Sequence, residues 1–160
     1  MTDLMKAIQK NDIGRVKTLI AAGADVNSLE SNGDAPLVMA AYLGHAEIVR
    51  LLCGAGADVA AVDPGMKATA LHAAAYAGRT EAARVLIEHK IDINKQGPYN
   101  GCTALHDAIW QNNSDTARVI LEGGADLSLR NHEGQTPLDF ARSKHRKEIA
   151  AMIEGKLGHR

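Results

Sequence analysis

Apolar positions in this chain recur at a long and nearly constant interval. Leu4, Leu37, Leu71, Leu105 and Leu138 stand 33 or 34 residues apart, and Leu19, Leu52, Leu86, Ile120 and Ile153 keep the same step. Within each interval the spacing turns helical. Ile48, Leu51 and Leu52, followed one unit later by Ala82, Val85 and Leu86, mark one face of an amphipathic helix at i, i+3 and i+4. A period of this length is the mark of stacked supersecondary units, none of which can bury its hydrophobic face alone. Five units account for almost all of the 160 residues.

Polar and special residues punctuate the pattern. Thr69, Thr103 and Thr136 precede apolar runs, where a hydroxyl caps the free amides at a helix start. Pro36 and Pro137 suit a first helical turn, in which a missing amide proton costs nothing. The first helix of each unit is expected to end at Gly44 or Gly78, with Asn11, Asn112 and His145 in the equivalent places. Glycine and asparagine accept the left-handed conformation of a tight helix–helix turn, and His145 departs from that rule. Lys90 stands where Gly23, Gly56 and Gly124 stand in other units, so a positive φ there would strain the third unit.

The motifs that fill this frame resemble those of the ankyrin repeat family. Thr69-Ala70-Leu71-His72-Ala73-Ala74, Gly101-Cys102-Thr103-Ala104-Leu105-His106 and Gly134-Gln135-Thr136-Pro137-Leu138-Asp139 are similar to its opening Gly-x-Thr-Pro-Leu-His-x-Ala. Gly23-Ala24-Asp25-Val26-Asn27, Gly56-Ala57-Asp58-Val59 and Gly124-Ala125-Asp126-Leu127 resemble its Gly-Ala-Asp-Val-Asn close, and Gly44 to Leu52 resembles its second helix. The resemblance implies an all-α solenoid of stacked helix-turn-helix repeats joined by β-hairpin finger loops. It places a single domain over residues 1–155, with repeats near 2–32, 33–66, 67–100, 101–133 and 134–155, and a short tail at 156–160. The end units replace apolar residues by Lys6, Gln9, Lys10, Arg142, Ser143, Lys144, Arg146 and Lys147. They read as solubilising caps of an array expected to be complete.

Charge and composition narrow the function. A formal net charge of −1 argues against nucleic acid, whose phosphates call for clustered positive charge. No apolar run approaches the roughly 20 residues that cross a bilayer. Asp3, Lys6, Lys10 and Asp12 interrupt any secretion signal after Met1, and two cysteines without a plausible bridge suit a reducing compartment. The expected location is cytoplasmic, the expected state a monomer.

Candidate chemistry is sparse. Cys102 has no partnered base in its own motif, so a packing role is expected for it. His72 and His106 fall at equivalent positions, and the ankyrin resemblance implies that each locks onto Thr69 or Thr103 of its own unit. Stacked helices lie about 8–10 Å apart, whereas a zinc-bound nitrogen sits about 2 Å from its ion. Equivalent histidines therefore reach one metal poorly, and His45, His89, His132 and His159 show no ligand spacing. Asp25, Asp58, Asp92 and Asp126 form a ladder that suits turns, and the resemblance implies that each ties one finger to the next. Arg50, Arg84 and Arg118 form a column expected to face solvent. No catalytic, cofactor-binding or metal-ligating residue is expected, and no cofactor.

One column has no such explanation. Tyr42, Tyr76 and Trp110 stand 34 residues apart in a chain with only 3% aromatic residues. The resemblance implies that partners are held by finger tips and by the exposed ends of the first helices. That helix slot carries Gln9 and Lys10, Tyr42 and Leu43, Tyr76 and Ala77, Trp110 and Gln111, then Ser143 and Lys144. An apolar centre with a polar rim is the usual anatomy of a protein interface. Two fingers are one residue longer than the others, 13 from Asp58 to Leu71 and from Asp92 to Leu105 against 12 elsewhere, and they carry Met66 and Tyr99. The expectation is a non-catalytic protein–protein interaction module, an adaptor or an inhibitor or immunity-type protein, binding through Tyr42, Leu43, Met66, Tyr76, Tyr99, Asn100, Trp110 and Gln111. Its alternatives are a structural or self-associating repeat protein and, further from the pattern, an enzyme or metal-binding protein. The aromatic column also admits a structural reading, in which it packs against the finger stems.

Overall fold

A computed structural model describes residues 1–158; His159 and Arg160, the end of the expected tail, lie outside the described residues. The chain forms helix pairs: α1 Asp3–Gln9 with α2 Ile13–Ala21, α3 Pro36–Leu43 with α4 Ala46–Gly54, α5 Ala70–Ala77 with α6 Thr80–Glu88, α7 Ala104–Trp110 with α8 Ser114–Glu122, and α9 Pro137–Ser143 with α10 Lys147–Gly158. The first helices pack on one another in order, as do the second helices, so an inner and an outer layer run the length of a solenoid. Helix α10 continues through Gly158.

The repeating apolar positions fill the seam between the layers. Leu37, Leu71, Leu105, Ile48, Leu52, Leu86, Ile120 and Ile153 are buried, while Leu19 and Leu138 in the end units are half-buried against the same core. Each fully buried side chain of this size contributes about 1.5–3 kcal/mol relative to exposure. The core is therefore a strip shared by every unit, and no unit could keep it alone.

The helix starts follow the threonines. Thr69 and Thr103 accept the amide protons of His72 and His106 at 3.4 and 3.3 Å, and Thr136 accepts that of Asp139 at 3.2 Å. Each third residue returns a bond to the threonine amide, which completes a capping box. The second unit has Ala35 at the cap and relies on Pro36 alone. The turns after the inner helices are left-handed at Gly44, Gly78, Asn11, Asn112 and also His145, whose φ of 58° matches that of Asn112. The last turn keeps its geometry without glycine or asparagine. Lys90 does take a positive φ, 65°, beside 90–93° at Gly23, Gly56 and Gly124.

Among the described residues the fingers are turns and loops, with one antiparallel bridge between Val62 and Thr69. The aspartate ladder serves its turns as expected but does not make the tie between fingers that the resemblance implied. Each of Asp25, Asp58, Asp92 and Asp126 accepts the amide proton two residues on, within its own turn. The ties at these aspartate turns come from asparagine, and Gln96 adds another by donating to the Arg130 carbonyl at 2.7 Å. Asn27 donates to the Gly56 carbonyl at 3.2 Å and accepts the Asp58 amide at 2.8 Å, and Asn94 accepts the Asp126 amide at 2.8 Å. An amide side chain both donates and accepts, whereas a carboxylate only accepts. The arginine column is exposed and paired, Arg50 with Glu88 at 3.2 Å, Arg84 with Glu81 at 3.5 Å and Arg118 with Glu148 at 3.8 Å.

Candidate functional site

The inner helices end along one groove, and the fingers close its other side. The groove encloses about 920 Å³ and extends from Asp34 to Phe140 in the sequence, across the second to fifth units. Tyr42, Leu43, Tyr76 and Trp110 line it from the helices, and Met66, Tyr99 and Asn100 from the fingers. The three aromatic residues of the column are half exposed, at 49, 51 and 50%, and Met66 and Tyr99 more so at 55 and 61%. Gln111 is exposed at the end of α7 but stands outside the lining.

Each aromatic residue is held through its backbone by the following unit. Arg79 Nε donates to the Tyr42 carbonyl at 3.0 Å. Asn113 Nδ2 donates to Ala75 and Tyr76 at 2.8 and 3.1 Å, and Arg146 donates to Ile109 and Trp110 at 3.1 and 2.8 Å. The Ala75 and Ile109 carbonyls also accept the turn amides of Gly78 and Asn112, at 3.4 and 3.0 Å, while those of Tyr42, Tyr76 and Trp110 lie in the last turn, where the helix supplies no further amide. Arg79, Asn113 and Arg146 share one register, the first residue after the left-handed turn. A Cβ on Gly44 would come within 2.6 Å of Arg79 Cδ, so glycine there serves this clamp as well as the turn.

The finger tips are also braced. Asp63 accepts the amide protons of Gly65, Met66 and Ala68 at 2.9, 2.9 and 2.7 Å, which sets the Met66 tip. Asn100 turns its Oδ1 back to the Cys102 amide at 2.9 Å, so its side-chain oxygen is already engaged. His132 of the next finger approaches the Tyr99 carbonyl through Nδ1 at 3.0 Å.

Several lining residues were not expected from the sequence. Met39, Ala73, Asp107 and Phe140 stand three residues before Tyr42, Tyr76, Trp110 and Ser143, one helical turn earlier, and form a second row in the groove. The i−3 spacing from the aromatic column was the available signal. Phe140 stacks on Trp110 with centroids 6.0 Å apart and planes 16° from parallel, and Lys144 Nζ lies 4.3 Å from the Trp110 ring centroid. Trp110 thus has a packing partner and remains half open. Asp107 is partly buried, and burial pushes its carboxyl up to about 7. It enters none of the ion pairs among the described residues.

The two buried histidines and the cysteines are structural. His72 Nε2 lies 3.1 Å from the Cys102 carbonyl and His106 Nε2 3.1 Å from the Gln135 carbonyl, each in the next unit. A carbonyl only accepts, so Nε2 carries the hydrogen and Nδ1 accepts from the threonine amide at 3.3 and 3.2 Å. Burial lowers both histidines' pKa, favouring this neutral form. The lock to the threonine is present, and it is also a bond between units. Cys53 and Cys102 are free; burial pushes the Cys102 thiol up to about 11, so it stays protonated. Among the described residues no helix is long and apolar enough to cross a membrane.

Comparison with known proteins agrees with this geometry. The family described as Ankyrin repeats (3 copies) matches residues 1–63 and 60–131. The chain is also similar to the 2-5A-dependent ribonuclease of Mus musculus, 45% identical over 58 residues, which is 36% of this chain and 8% of the ribonuclease. Paired helices, threonine caps, left-handed turns and the family match over most of its length place the chain in the ankyrin repeat family.

Proposed function

We propose that this chain is a non-catalytic module that grips one protein partner in its groove, as an adaptor or as an inhibitor or immunity-type protein. Repeats of this family are generally protein–protein interaction modules. The half-exposed column of Tyr42, Tyr76 and Trp110 carries the reading, because soluble surfaces seldom gather large apolar groups without use. Leu43, Met66, Tyr99 and Asn100 extend the contact, and Gln111 supplies its polar rim. Backbone clamps on the aromatic residues lower the ordering cost of binding.

The same side chains argue against catalysis. Both buried histidines have their two ring nitrogens engaged, so neither is free to act as a base, and the Cys102 thiol is held protonated, which makes it a poor nucleophile. Free thiols suit a reducing, cytoplasmic setting and a monomer that meets its partner there.

Affinity capture from the native cell tests this, with wild type beside a Tyr42→Ala, Tyr76→Ala, Trp110→Ala variant shown by circular dichroism to be folded. A protein retained only by wild type is the expected result. Tyr76→Ala and Trp110→Ala should each weaken that complex by about tenfold or more, the effect of losing an aromatic anchor. Unchanged affinity would sink the assignment, and equal capture by the triple variant would move the site to the outer helices.

A further inference from the structure

The groove is acidic as well as apolar. Its lining includes Asp34, Asp63, Asp107 and Glu133 and neither lysine nor arginine, although the whole chain has 18 basic residues against 19 acidic. The arginine column lies on α4, α6 and α8, the outer layer. Asp63 is engaged by finger amides and Asp34 by the Asn32 side chain. Asp107 and Glu133 enter no ion pair among the described residues, and the Asp107 carboxylate accepts no hydrogen bond there.

Asp107 is the informative residue. Its register on the inner helix holds Met39, Ala73 and Phe140 in the neighbouring units, so an apolar side chain would satisfy the packing. The Asp107 oxygens reach solvent in the open groove, and a carboxylate in that row loses this hydration once the groove is filled unless a partner replaces it. It becomes favourable once a cation meets it in a site shielded from water. Trp110, one turn further along α7, already takes a cation from within the chain, since Lys144 Nζ sits over its ring.

We propose that the groove receives a protein segment carrying one lysine or arginine between apolar side chains, with the cationic head on the Asp107 carboxylate. This rests on the protein-binding reading above. The long aliphatic stem of such a residue covers apolar surface while its head reaches a charge, and here it lies along Tyr76 and Trp110. The apolar flanks meet Tyr42, Leu43 and Met66. A segment with a neutral or acidic residue at that place leaves Asp107 unpaired and is rejected.

A library of random 12-residue peptides displayed on mRNA provides the probe, selected in parallel on wild type, Asp107→Asn and a Tyr76→Ala, Trp110→Ala variant. Asn has nearly the shape of Asp, and circular dichroism verifies the fold of both variants. Wild type should enrich lysine or arginine at one register between apolar positions, while Asp107→Asn keeps the apolar flanks and loses the cation. Peptides chosen by wild type should bind Asp107→Asn at least tenfold more weakly, and that difference should vanish when their cation is replaced by norleucine. Groove-dependent peptides without a cation preference would overturn the inference and leave the protein-binding reading intact. Peptides that bind the aromatic variant as well as wild type, or no selected peptide at all, would count against both. Light scattering that shows a dimer broken by Trp110→Ala would overturn it too, by placing a second copy in the groove.

Discussion

Lys90 adopts a φ of 65° at a place where three other units use glycine. A side chain in the left-handed region costs about 1 kcal/mol. Lys90→Gly should therefore raise the unfolding free energy by up to about 1 kcal/mol, measured by urea denaturation. His106 is the opposite case, because both ring nitrogens bond and one bond crosses to Gln135. His106→Ala leaves the buried Thr103 amide without its partner and breaks the bond to the Gln135 carbonyl, which keeps the Asn131 amide at 3.0 Å, and should cost about 1–3 kcal/mol in the same assay. Side-chain roles were partly legible at this scale. The threonine cap follows from its place before an apolar run and the histidine lock onto it was implied by the ankyrin resemblance, whereas the division of labour between Asp25 and Asn27 is decided only in the stacked fold. Both residues occur in the same turn, and only the distance to the next finger tells which one reaches it.

The inner helix and its turn act as one element. Its start is declared by threonine or proline and its end by a left-handed residue, so its limits could be read closely from the chain. The clamp on its last carbonyls could not. Arg146 and Trp110 are 36 residues apart, and no local pattern joins them. Arg146→Ala should cost about 1–2 kcal/mol, the range for a lost bond from a charged donor that leaves a carbonyl open. It should also change the emission of Trp110, the only tryptophan of the chain, because the end of α7 is then free to fray. Unchanged emission at full folding would show that the clamp does not position the ring.

For the whole molecule, the titration of Asp107 opposes that of the buried histidines. Burial raises Asp107 from 3.8 to about 7, so between those pH values the folded chain holds a proton that the unfolded chain has lost. Its contribution is complete at low pH and disappears as pH rises to about 7. His72 and His106 are lowered from 6.5 by burial, so their contribution is present above that pH and declines on acidification. Asp107→Asn removes the first effect alone. Its unfolding free energy should rise more steeply than that of wild type between about pH 5 and 7, and exceed it at about pH 8. Parallel curves for the two proteins would mean that Asp107 titrates as an ordinary surface carboxylate.

The sequence by itself determined the period, the five units, the helix limits and the column of Tyr42, Tyr76 and Trp110. Those features rest on local rules, in which a cap, a turn or an amphipathic face is specified by residues within one unit. Tertiary structure decided what the column faces. It set Asp107, Met39 and Phe140 beside the aromatic residues, placed Gln111 outside the groove, and recruited Arg79, Asn113 and Arg146 from following units to hold the helix ends. Stacking brings together residues more than 30 positions apart, and the charge and shape of the groove exist only after that stacking has occurred.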